Sequence, residues 1–158
     1  MDEVRFIRDQ IRTTFDGRSW HGPNIRNALD GVDLAQARAK PLEERHSIWE
    51  LVNHINYWMG ETLNVLRGGS IPKIEEVDDW PPIGDTEEEW EASKAALDRT
   101  VNQLLDALVG FGEERLMELV PGRDYTYRTL LHGTLHHNLY HAGQISMLKK
   151  KTRSPEKV

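Results

Sequence analysis

Residues Leu135 to Ile145, LHHNLYHAGQI, place three histidines within six positions and follow them with Ala-Gly-Gln. Imidazoles at this density could bind a metal, act as a base with neighbours, or fill polar positions on a helix. At about 100° per residue, positions four apart lie on nearly one line of a helix. Two pairs result: His132 with His136, and His137 with His141. Their lines are about 140° apart, so one ion cannot use both. Leu130, Thr134, Gln144 and Leu148 share the side of the second pair, which suits a bundle interior. Leu139 and Met147 accompany the first pair, so geometry favours His137 and His141 only in part.

A divalent ion needs at least a third ligand. His54 is the best candidate, lying mid-helix beside an apolar stripe that includes Leu51, Ile55 and Trp58. A lone histidine in that setting is more often a hydrogen-bonded core residue. Residue pattern alone leaves the metal and core readings open.

The elements that would position these residues are helical. Val4, Phe6, Ile7, Ile11 and Phe15 recur every three or four residues, predicting a helix from Asp2 to about Asp16 that Gly17 ends. After the turn-rich GRSWHGPN, Pro23 can open a short helix through Leu29. Ser47 and Glu50 form a capping box at the head of a second long helix, which Gly68-Gly69 stops. A third long helix starts at the Thr86 and Glu89 box and runs to about Val109. The fourth covers Tyr127 to Lys150, with lysines in its last turn where the helix dipole favours them. No convincing strand or internal repeat is visible.

Between the second and third long helices lies a connection of about 20 residues, GGSIPKIEEVDDWPPIGDT. It is long enough to return the chain along a bundle, so the two helices could run parallel. The expected fold is an all-α four-helix bundle with a long crossover. Residues 1–150 form one domain and 151–158 a flexible tail.

Composition narrows the function. A net charge of -6 and the absence of a basic face argue against nucleic-acid binding. No window approaches a membrane span, and the charged N-terminus lacks a signal peptide. With no cysteine there is no disulfide, thiol nucleophile or thiolate ligand. A cytoplasmic protein is expected.

Four segments in order, GRSWHGPNIRNAL, RHSIWELVNHINYW, DDWP and YHAGQI, make the chain resemble the DinB superfamily across nearly its whole length. That superfamily of damage-inducible-protein-like bundles includes bacterial low-molecular-weight-thiol transferases. The resemblance implies an up-down-down-up bundle, often a homodimer, holding a divalent metal on three histidines. Matched position by position, the ligands are His54, His137 and His141; Ala142 fills the family's variable place before Gly-Gln. Zinc or nickel best suits such a set, and iron or manganese is compatible. A low-molecular-weight thiol is a candidate cofactor, and a small molecule or thiol the expected partner.

Around this set stand further candidates. His21, His46 and Glu50 could serve catalysis; Trp20, Trp80 and Gln144 could contact a cofactor. Each has a plainer reading. A buried Trp20 could anchor its loop, His46 could be a loop residue, and Glu50 could belong only to its cap. Trp80 could pin the crossover, while Glu50, Asn138 and Gln144 could orient ligand rings.

Overall fold

The computed structural model describes residues 2–152, and within them the regular structure is helical. The long helices are α1 (Glu3–Phe15), α4 (Ile48–Leu66), α5 (Glu87–Val109) and α6 (Tyr127–Thr152). Two short ones, α2 (Ile25–Leu29) and α3 (Leu34–Arg38), lie between the first pair of long helices. An isolated antiparallel bridge joins Leu119 to Thr126 ahead of α6.

The long helices close a ring of contacts: α1 packs on α5, α5 on α4, α4 on α6 and α6 on α1. Their apolar stripes meet inside it. Val4, Ile7, Ile11 and Phe15 of α1 are buried, as are Leu51, Val52, Ile55, Met59 and Leu63 of α4. Phe6, assigned to the apolar face by its spacing, is instead 48% exposed. Trp49 and Trp90 meet at 5.4 Å between ring centres, and each finds a partner for its indole N–H. Trp49 donates to Ser93 Oγ at 2.8 Å and Trp90 to the Val32 carbonyl at 3.2 Å.

Local signals set the helix ends. Ser47 and Glu50 form the reciprocal box that heads α4, and Thr86 and Glu89 that of α5. At the end of α4, Gly68 takes φ +93° and donates to the Val65 carbonyl, while Gly69 donates to that of Asn64. This pair of bonds is a Schellman stop, which needs a residue at ease in the left-handed region. Pro23 does not open α2. Asn24 caps it by accepting the Asn27 N–H at 2.9 Å, and Pro23 stays outside. Helix α3 escapes periodicity because five residues cannot display a period, although Asp33 and Gln36 form a capping box there.

The connection between α4 and α5 is strapped down rather than loose. Asn53 Nδ2 donates to the Pro82 carbonyl at 3.0 Å, Asn64 Nδ2 to that of Ser70 at 2.9 Å, and Arg123 to that of Ile71 at 2.6 Å. Helix α6 runs through Thr152, two residues into the expected tail, and 153–158 lie outside the described residues. No helix is long and apolar enough to cross a membrane among the described residues.

Ser47 is fully buried and its hydroxyl accepts the Glu50 N–H at 3.2 Å. Ser47→Ala is expected to lower the unfolding free energy by about 1 kcal/mol, read from the urea midpoint at constant slope.

Candidate metal centre

Helix α4 contributes His54, and α6 contributes His137 and His141 one turn apart. His137 Nε2 lies 3.1 Å from His54 Nε2 and 3.1 Å from His141 Nε2. Among the described residues, these three form the one group of potential ligand atoms found mutually within 4.8 Å.

The far side of two rings is fixed. His54 Nδ1 stands 2.7 Å from the Asp79 carbonyl oxygen, which can only accept, so that nitrogen carries the hydrogen. His141 Nδ1 donates to Gln144 Oε1 at 2.6 Å. In each neutral ring the Nε2 lone pair is then left facing His137. A single N–H on His137 could serve only one of them. A cation between the three satisfies all at once. Two imidazole nitrogens on a tetrahedral ion at about 2.0–2.1 Å stand about 3.3 Å apart, close to the separations present. The residues therefore fit a divalent metal.

Burial keeps the rings in the binding form. It pushes the His137 pKa down to about 3, helped by the neighbouring His141 and His54. It takes His141 down to about 4, against the opposing Gln144 hydrogen bond. Both are neutral at pH 7, as a metal ligand must be.

Trp80 lies stacked between two histidines, its ring 3.9 Å from that of His54 and 3.3 Å from that of His46. Behind it, Trp58 Nε1 donates to the Asp79 carboxylate at 2.8 Å, and this carboxylate reaches within 3.6 Å of His54 Nδ1. The carboxylate thus sits on the side of His54 opposite the meeting point. A cleft of about 450 Å³ opens beside the group, walled by His46, Trp80, Tyr140, His141, Gln144 and Leu148.

The remaining candidates separate. His46 and Trp80 line the cleft, and Gln144 both lines it and orients His141. Glu50 faces away: it accepts from the Ser47 N–H at 2.7 Å and from Lys40 at 2.8 Å. Asn138 is buried and donates toward Thr14 and Met59, so it does not orient a ligand ring. His132 lies 3.6 Å from Glu3, and His136 is exposed, both apart from the convergent group. Trp20 and His21 correct the expectation most clearly. Both are exposed, Trp20 at 101%, and neither lines the cleft nor anchors its loop in the core. Gly17, Gly22 and Pro23 around them gave that loop the look of a site wall, but no apolar partner covers Trp20. The role of the Asp79 carbonyl was missed because a backbone acceptor leaves no mark in residue type.

An all-helical bundle with three convergent imidazoles defines the class. The chain belongs to the DinB superfamily, whose family profile matches residues 19–145. No curated protein and no solved structure matches it significantly.

The low pKa values of His137 and His141 predict a pH dependence. Unfolded, both rings protonate near the ordinary value of about 6.5; folded, they resist protonation until about 3 and 4. Their contribution is fully present above pH 6.5 and is lost as pH falls toward 4 and then 3. In chelator-treated protein the urea midpoint should drop between pH 7 and 4. The double variant His137→Gln, His141→Gln should drop less steeply, and an unchanged slope would contradict this account.

Proposed function

We propose that this chain is a metal-dependent enzyme acting on a small molecule, with a divalent cation held by His54, His137 and His141. The observation that carries the reading is the convergence of three Nε2 atoms while Nδ1 of His54 and of His141 is occupied by an acceptor. Zinc or nickel is the ion of choice for imidazoles, and iron or manganese is compatible. When bound, such an ion supplies charge that brings a water or thiol toward a pKa near 7.

The chain's own residues orient and exchange protons. The Asp79 carbonyl and Gln144 hold two rings in the binding tautomer. His46, stacked on Trp80 at the cleft wall, is a candidate proton acceptor. Burial lowers its pKa against the pull of Glu50, which favours the neutral, proton-accepting ring. Two cavities reach the group, one walled by His141 and one by His137. That favours a reaction of two substrates, such as transfer of a low-molecular-weight thiol to an electrophile, over hydrolysis. A binding bundle without turnover is the alternative outcome.

The up-down-down-up path belongs to the same proposal. Trp49 bonds Ser93, pairing the starts of α4 and α5, which supports a parallel pair. Glu3 and Thr14 meet Arg128 and Asn138 in the same order, whereas His54 and Thr62 meet His137 and Thr134 in reverse. We extend the proposal to a cytoplasmic location, the expectation from composition, and to a homodimer, as the resemblance implies.

Elemental analysis of purified protein should find about one divalent ion per chain. His54→Ala, His137→Ala and His141→Ala should each weaken its binding by at least about tenfold. His132→Ala and His136→Ala should leave metal content near wild type. A thiol-consumption assay with a generic electrophile, run beside an ester-hydrolysis screen, reads the activity. Full metal content in His137→Ala would overturn the ligand set, and metal without turnover in either assay would leave the binding bundle.

A further inference from the structure

A second cavity, of about 290 Å³, reaches the histidine group from the α6 side and has His137 in its wall. Trp58, Ile71, Tyr125 and Leu130 give it an apolar lining, and no acidic or cationic side chain takes part. The Trp58 indole N–H is already committed to Asp79, so the ring offers the cavity only apolar and π surface.

Its two buried hydroxyls are likewise engaged. Thr62 Oγ1 lies 2.9 Å from Thr134 Oγ1, and the Trp58 and Leu130 carbonyls accept from this pair at 2.9 and 3.0 Å. The other hydroxyls of the wall belong to the half-buried Tyr125 and the exposed Thr129, and an ionic ligand would be desolvated without a counter-charge. The cleft on the other side differs, for Glu44, Arg45 and His46 line it. The cavity is roughly twice the ~150 Å³ known to accept a benzene ring.

We infer that this pocket binds the uncharged aryl or short alkyl group of a substrate whose reacting end lies at the histidines. The inference deepens the proposed function and rests on it for the reacting end; the pocket's own binding needs no metal. The charge-free pocket takes the apolar partner, and the cleft lined by Arg45 and His46 is left for a polar one. Apolar contact gives the affinity, and His137 links the pocket to the group that meets His54 and His141.

Gly133 offers a direct test. It lines the pocket, and a Cβ built on it meets no atom within 4 Å, so a larger side chain there can fill the space from the helix itself. Replacing glycine within a helix also removes a propensity penalty of about 1 kcal/mol. Toluene and benzoate are titrated into the full chain, metal-loaded and chelator-treated, and followed by ¹H–¹⁵N NMR. Toluene should give saturable shifts centred on Gly133, Tyr125 and the Trp58 indole in both preparations. In the chelator-treated chain, where no cation can hold its carboxylate, benzoate should bind at least tenfold more weakly. Gly133→Leu should weaken toluene binding at least tenfold while leaving metal content unchanged.

Toluene shifts centred on the His46 cleft, equal binding of benzoate by the chelator-treated chain, or wild-type toluene binding by Gly133→Leu would each overturn the assignment. The toluene and benzoate comparison on the native chain decides the matter even if the variant does not fold. Failure of the metal reading shows separately, as absence of metal with toluene binding intact.

Discussion

The hydrogen bond from His54 Nδ1 to the Asp79 carbonyl, 2.7 Å long, is the constraint on which the rest of the site depends. A neutral imidazole has one donor and one acceptor nitrogen, and fixing the donor fixes the acceptor. With Gln144 doing the same for His141, two lone pairs are aimed at one point between α4 and α6. Without those outer bonds, a ring could turn its N–H inward and the convergence would lose its chemical meaning. Burial makes His137 and His141 neutral. It does not decide which nitrogen is bare.

That bond comes from the segment between α4 and α5, and this gives the long connection its purpose. Ordering a residue costs about 1–2 kcal/mol of backbone entropy, so a segment of this length is held only where contacts offset it. Asn53, Asn64 and Arg123 bind its carbonyls, Trp58 binds the Asp79 side chain, and Trp80 stacks between His46 and His54. The same contacts that hold the segment orient the site. Asp79 uses its backbone toward His54 and its side chain toward Trp58, so two successive turns of α4 register on one residue.

Much of this was legible in the sequence, and the exceptions have physical reasons. Capping boxes at Ser47 and Thr86 mark their helices because each is a local bond pattern of four residues. Helical geometry splits His137 and His141 from His132 and His136 but favours the former pair only in part; the resemblance supplied the choice. Phe6 misleads because spacing gives a face but not its edges, and this ring falls at the margin of the α1 stripe. Trp20 misleads because an aromatic in a turn-rich segment suggests an anchor, whereas packing against the bundle depends on loop path. Helix α3 is too short for periodicity, and a carbonyl acceptor is invisible to any reading of side chains.

The economy of the core bears on why the histidines are there. Structural zinc sites in small domains replace a hydrophobic core and usually close all four positions with protein ligands. This chain has a core running from Val4 to Leu148 through all four long helices, so its fold has an apolar basis apart from any ion. Three imidazoles drawn into that interior lose hydration, and apolar residues of similar size would pack there without polar atoms to satisfy. The fold gains little from the triad that leucine or phenylalanine would not supply. The arrangement makes sense as a site: three donors rather than four, tautomers fixed from behind, and a cleft on one flank with an apolar pocket on another. Stability accounts for the bundle, and the histidines within it are compatible with a metal site.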